Sequence, residues 1–250
     1  MLSSLILLLV AAVITGIFCG ATGVGGILMI PSLTLFGGMD IHESVATALF
    51  AFIFFGIQAT WLYAKRGSVD WRITIPVCIG SIFFGILGAW LNSIIDARPL
   101  TIMIALLVIV AGLNILRPAR EKATVRRDGR SRNEQFALLA VGAASGLGSG
   151  LTGAGGPLFS VPLMLLLGFP VLTSIATSQV LVFVSSASAT VGNLAYGTIN
   201  FMTALWIIPA LFLGMWIGVK IAHRAKVEHL KNVVAAFCIM LGAMMLFGIR

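Results

Sequence analysis

Two short glycine-rich strings hold the residue types that could do chemistry in this chain. They are Gly20-Ala-Thr-Gly-Val-Gly-Gly26 and Gly150-Leu-Thr-Gly-Ala-Gly-Gly156, and both interrupt apolar sequence. Gly23, Gly25 and Gly26, like Gly153, Gly155 and Gly156, release the backbone from helical geometry. A helix that restarts after such a break presents unpaired N–H groups and the positive end of its dipole. Such an end attracts anions. Thr22 and Thr152 stand at equivalent places in the two strings and add hydroxyl groups. The chemistry to expect is recognition of an anion by neutral donors. Close helix packing is the competing reading of the glycines. Nucleotide binding has less support, because no Lys-Ser or Lys-Thr follows either string.

A second set of polar residues lies inside long apolar segments. Thr47 and Thr177 match each other, and Ser178, Gln179, Ser185, Ser186, Ser188 and Asn193 make the segment 174–196 polar for its setting. Ser178, Ser185 and Ser188 fall broadly on one side of a helix and could line a path. Hydrogen bonding between helices is the alternative. Gln58 is the isolated counterpart in 44–64. No nucleophile–base set and no buried carboxylate pair is evident, so enzymatic chemistry and a catalytic cofactor are not expected. His42, His223 and His229 flank apolar segments. Glu43 could couple protons, although a solvated carboxylate at a helix start is the plainer reading. Cys19, Cys78 and Cys238 are isolated and show no metal spacing. Pro31, Pro76, Pro162 and Pro209 lie within apolar segments and are expected to kink or break helices.

The elements that must position these residues follow from a duplication. An ungapped offset of 130 residues lays the first glycine string on the second, Ser44-Val-Ala-Thr47 on Ser174-Ile-Ala-Thr177, and Gly67-Ser-Val-Asp-Trp71 on Gly197-Thr-Ile-Asn-Phe201. Each half reads as five apolar segments: 2–19, 27–38, 44–64, 73–92 and 99–116, then 136–149, 157–169, 174–196, 203–221 and 232–249. Only 10% of the 250 residues are charged and 59% are hydrophobic, which suits a bilayer and not water. Segments 27–38 and 157–169 are too short to span, so each glycine string predicts a re-entrant helical hairpin.

An odd number of segments per half predicts opposite orientations of the two halves. The loops 65–72, 117–134 and 220–231 fall on one side under that arrangement, and they hold 14 of the 16 Lys and Arg residues. The Gly197–Asn200 turn, the counterpart of the basic 65–72 loop, falls on the other side and has no charge. The positive-inside rule then makes the basic side cytoplasmic and puts both termini outside. The net charge of +8 is accounted for by these loops, so nucleic acid is not an expected partner. The expected organisation is a first transmembrane repeat, 1–116, a basic cytoplasmic linker, 117–134, and a second repeat, 135–250.

GATGVGGILMIPSL, its partner GLTGAGGPLFSVPL, the SVATA and SIATS strings and the GSVDW and GTINF turns resemble the TauE/SafE sulfite exporter family of bacterial membrane transporters. The resemblance covers nearly the whole chain outside the linker. It implies transport, with export as the direction, of small sulfur-containing anions such as sulfite or organosulfonates, in the bacterial inner membrane. It maps the family motif onto Gly23, Gly25, Gly26, Thr47, Gly153, Gly155, Gly156 and Thr177. The expectation is a secondary transporter with a mid-membrane site at paired helix N-termini, built by Thr22, Thr47, Thr152, Thr177, Ser178, Gln179 and the six glycines. A passive anion channel and a non-transporting membrane scaffold are the alternatives. A homodimer and proton coupling are both compatible with the sequence.

Overall fold

In hydrocarbon the backbone must satisfy its own hydrogen bonds, and a helix does so within one segment. The computed structural model describes residues 2–22, 26–116, 131–224, 239–240 and 242–247, and its described secondary structure is helical, with no strand. Gly23, Gly25, residues 117–130 of the expected linker, the 225–231 part of the basic loop and most of the segment expected at 232–249 lie outside the described residues, as do Cys238 and His229. The side chains of Thr22 and His223 lie outside them as well.

The helices are α1 (Leu2–Thr22), α2 (Met29–Gly37), α3 (Ile41–Lys65), α4 (Trp71–Ile94), α5 (Ala97–Leu116), α6 (Arg132–Thr152), α7 (Pro157–Leu166), α8 (Val171–Tyr196) and α9 (Phe201–Arg224). A single 3-10 turn, Gly26–Leu28, leads into α2. Among the described residues five helices are long and apolar enough to cross a membrane: α3, α4, α6, α8 and α9. Leu5–Ala21 of α1 adds a shorter apolar stretch. The chain is a polytopic membrane protein. The bounds differ from expectation mainly at α6, which begins at Arg132 and so takes in the end of the expected linker. Glu134 sits in its first turn, where a carboxylate faces the positive end of the dipole.

Local signals set the helix ends. Asp40 accepts from the backbone N–H groups of His42 and Glu43 at 2.8 and 3.0 Å and starts α3. Asp70 accepts from Arg72 N–H at 3.0 Å and starts α4. Asn200 accepts from Thr203 N–H at 3.0 Å and starts α9. Asp70 and Asn200 are related by the 130-residue offset, so the cap is kept and its charge removed. Of the two outcomes expected at the prolines, a kink or a break, no break occurs at Pro76, Pro162 or Pro209. α4 continues through Pro76, α7 through Pro162 and α9 through Pro209. Neighbouring helices hold such helices in place within a membrane protein.

Packing follows the duplication. α1 lies on α9, and their offset counterparts α6 and α4 lie on each other. Small residues let the backbones touch. A Cβ built on Gly16 would sit 2.5 Å from the Leu211 carbonyl oxygen, and one on Gly146, its counterpart, 2.5 Å from that of Ser81. Close approaches rise in number along both partners: Gly16 meets Gly214 and Gly20 meets Val219, while Gly146 meets Ser81 and Gly150 meets Gly88 and Ala89. Each pair is therefore parallel. α3 and α8 occupy the centre. The apolar window of α8 is 72% buried and that of α4 only 39%, so α4 keeps an exposed apolar face beside the one packed on α6 and α8. Phe83, Trp206 and Leu213 are exposed on the outer faces of α4 and α9.

Candidate functional site

The two breaks meet in the interior. A Cβ on Gly26 would lie 2.7 Å from the Ala154 carbonyl oxygen and 3.1 Å from the Phe52 ring. One on Gly153 would lie 3.2 Å from Ile30 and from Val45. The whole of Gly153–Gly156 is buried. Its glycines have φ of +71°, +74° and +85° at 153, 155 and 156, the region where a side chain is strained. Gly153 ends α6 as a left-handed cap, its N–H donating to the Ser149 carbonyl at 2.8 Å. α7 starts at Pro157, which is preset for a first helical turn but carries no N–H. The second break thus offers one backbone donor fewer than the repeat pattern implied.

Hydroxyl groups gather at the second break. Ser149 donates to Ser185 Oγ at 3.2 Å, and Ser185 Oγ lies 3.5 Å from the Gly155 carbonyl oxygen. Ser185 Oγ would also be 3.1 Å from a Cβ on Gly156. Ser145, Ser160 and Ser186 are fully buried, and their hydroxyls have no partner among the described residues. The buried polar side chains among the described residues are neutral: Ser, Thr, Asn, Gln and Tyr63. The arrangement can donate hydrogen bonds to an anion without a formal positive charge.

The expected residues divide into two groups. Gly26, Gly153, Gly155 and Gly156 come together at the centre. Gln179 joins them on the first-break side, where its Nε2 donates to the Cys19 carbonyl at 3.1 Å and its Oε1 has no partner among the described residues. Thr152 also lies there, but its hydroxyl donates to the Gly148 carbonyl at 2.6 Å and accepts from Ala154 N–H at 3.4 Å. The other three are engaged elsewhere. Thr47 Oγ1 accepts from Asn200 N–H at 3.0 Å, and Thr177 shares a 3.0 Å bond with Thr74. Both brace the start of a neighbouring helix. Ser178 donates to the Ile175 carbonyl of its own helix at 2.7 Å.

Three participants were not singled out by sequence. Ser149 could have been found from Ser145, Ser149 and Thr152, which share a helical face. Asn92 is a lone amide at the end of an apolar segment. Its Nδ2 donates to the Leu151 carbonyl at 2.8 Å, and its Oδ1 lies 3.1 Å from His42 Nδ1. Tyr63 donates to the Gly20 carbonyl at 2.9 Å. Glu43 is half-buried and accepts from Asn200 Nδ2 at 3.0 Å, so it is not a freely solvated carboxylate. An open cleft of about 520 Å³ lies between the 67–72 turn and Leu172–Thr173. It sits at helix ends, and none of the residues at the breaks lines it.

A family model described as Sulfite exporter TauE/SafE matches residues 8–245. Similar proteins include "Probable membrane transporter protein YunE" of Bacillus subtilis, 25% identical over 98% of both chains. "Probable membrane transporter protein YdhB" of the same organism is 24% identical over 96% of this chain and 100% of its own. "Probable membrane transporter protein ORF9" of Sinorhizobium sp is 28% identical over 96% of this chain and 91% of its own. No solved structure matches the chain.

Proposed function

Because the chain belongs to the sulfite exporter TauE/SafE family, we propose that it is a secondary transporter of small sulfur-containing oxyanions, sulfite or an organosulfonate, acting in the bacterial inner membrane and not as an enzyme. The observation that carries the reading is the contact between the two buried breaks, Gly26 against the Ala154 carbonyl, beside the Ser149–Ser185 hydroxyl pair. Irregular backbone at membrane depth is tolerated where protein or a water-filled cavity covers it. In the proposal the anion sits at the second break. The Leu158 N–H and the serine hydroxyls hold it, since Pro157 has no N–H and those of Phe159 and Ser160 donate to the Gly156 carbonyl, and Gly26 and Phe52 form the opposing wall.

Alternating access would rock one half against the other around that site. The halves are read as inverted, with both termini outside and the linker cytoplasmic. The parallel pairing of α1 with α9 and of α6 with α4 supports this. So do the short connections at 66–70 and 197–200, which reverse the chain between α3 and α4 and between α8 and α9.

The test is flux in proteoliposomes made with the purified protein. Sulfite and methanesulfonate are expected to move down an imposed gradient with saturable kinetics, and a matched amine or sugar is not. Saturable flux that ignores the identity of the anion, or none above empty liposomes, would overturn the reading.

A further inference from the structure

The two breaks differ in what holds the helix end before them. At the first, Tyr63 and Gln179 bond the Gly20 and Cys19 carbonyls, and neither changes charge near neutral pH. At the second, Asn92 bonds the Leu151 carbonyl, and His42 stands behind Asn92. Imidazole is the side chain that changes charge in the physiological range.

The polarity of this chain of bonds is fixed from the break outward. Leu151 offers a carbonyl, so Asn92 must present its NH₂ there. That leaves the Asn92 carbonyl oxygen toward His42, so His42 Nδ1 must carry a proton. A neutral ring satisfies this in one of its two tautomers only. An imidazolium satisfies it in its single form, with a charge-assisted bond of about twice the strength. Acid should therefore tighten the chain, and alkali should loosen it.

The surroundings leave His42 as the group that responds. On its own helix start, Asp40 is engaged in capping and Glu43 is bonded to Asn200. From α4 the facing group is the neutral Asn92, and from the end of α6 the Leu151 carbonyl. The Asn200 turn presents a neutral amide to Glu43. Asp96 and Arg98 follow α4 on the exposed connection to α5.

We propose that His42 is a proton-responsive positioning residue. Through Asn92 it fastens the end of α6 at the second break most tightly when protonated, and it holds that end more loosely when neutral. Its consequence for flux rests on the transport reading above. Acid on the side where α3 begins then holds the break in the arrangement seen here and slows turnover.

Amide hydrogen exchange across 150–157 tests the device directly, with detergent-purified full-length protein at pH 5.5 and pH 8 after correction for intrinsic exchange. Protection is expected to be about tenfold higher at pH 5.5 in the parent. The difference should vanish in His42→Gln, a substitution at a half-buried site that the fold should tolerate. It should also vanish in Asn92→Ala, where the histidine remains but its route to the break is cut. A pH response that survives in either variant overturns the proposal, as does a parent with no response. Methanesulfonate flux, whose substrate keeps one charge throughout this range, is the second readout. A parent that shows the exchange signature but moves no anion would sink the transport reading and leave the latch standing.

Discussion

The first break and the second share a glycine pattern and differ in the residues around it. Position by position at the 130-residue offset, Cys19 stands where Ser149 stands, Phe55 where Ser185 stands, and Ile30 where Ser160 stands. All three of the first-break residues are buried, as are their counterparts. Duplication preserved the glycine string in both halves. At these three positions the polar group stands on the second copy, although Thr15, the counterpart of Ser145, is a buried hydroxyl of the first half. In the transport reading proposed above, the described donors lie at the second break, and Gly26 and Phe52 form a wall that excludes water. Exclusion of water strengthens the remaining electrostatic interactions.

The largest effect should come from forcing the two breaks apart. Gly26→Ala places a methyl group 2.7 Å from a backbone oxygen, which cannot rotate away. Gly156→Val adds a branched side chain at φ +85° beside Ser185, and strain of this kind amounts to about 1–3 kcal/mol. Both variants are expected to abolish saturable anion flux in proteoliposomes and to lower the apparent melting temperature. Gly38→Ala is the control. It also has positive φ, 67°, but nothing lies within 4 Å of its Cβ position, so its effect should be confined to strain and flux should persist. Equal loss of flux in Gly38→Ala would show that glycine conformation alone, and not the meeting of the breaks, is what matters.

Removing the donors should come next. A hydrogen bond to a charged group contributes about 1.5–3 kcal/mol. Ser149→Ala with Ser185→Ala is therefore expected to weaken anion binding about 10- to 100-fold, read as a loss of ligand-induced thermal stabilisation. Cys19→Ala, the same operation on the first break, should leave binding unchanged within about twofold, because it removes no strong donor. If the two changes weaken binding equally, the asymmetry between the breaks has no functional content. Thr152→Val should be milder than the serine pair, with flux within about threefold of the parent. Its hydroxyl is already bonded to Gly148 and Ala154, and its loss would be felt as a looser end to α6.

The duplication, the long apolar helices and the placement of the breaks were legible in the sequence because each rests on local composition. Gly153, Gly155 and Gly156 announce irregular backbone wherever they occur. The Asp70 and Asn200 caps could be read from their place before apolar runs. The lining could not be read in the same way. Ser149 meets Ser185 across 36 residues, and His42 meets Asn92 across 50. Both pairings depend on how neighbouring helices settle against each other, and helical period places a residue on a face without naming the facing helix. Thr47 and Thr177 illustrate the converse. Their repetition drew attention to them, yet each braces the start of α9 or α4, so the repetition marks a structural contact made in both halves.

The smallest effect sharpens the comparison from the other side. Tyr63→Phe removes one hydroxyl and leaves the ring, which is almost wholly buried. The Gly20 carbonyl then loses its 2.9 Å donor, and a net loss of about 1 kcal/mol is expected in stability. In a chain of this length that amounts to a shift of about 2–4 °C in apparent melting temperature. Tyr63 is the offset counterpart of Asn193, whose Nδ2 has no partner among the described residues. The first break is thus tied by Tyr63 of its own half together with Gln179 of the other, whereas the tie on the second is made by Asn92 of the other half. If the first break is a static wall, Tyr63→Phe should lower stability and leave both anion affinity and the pH dependence of flux as they were. A change in the pH dependence would mean that the first break moves during transport as well, and that the division between wall and binding edge is too sharp.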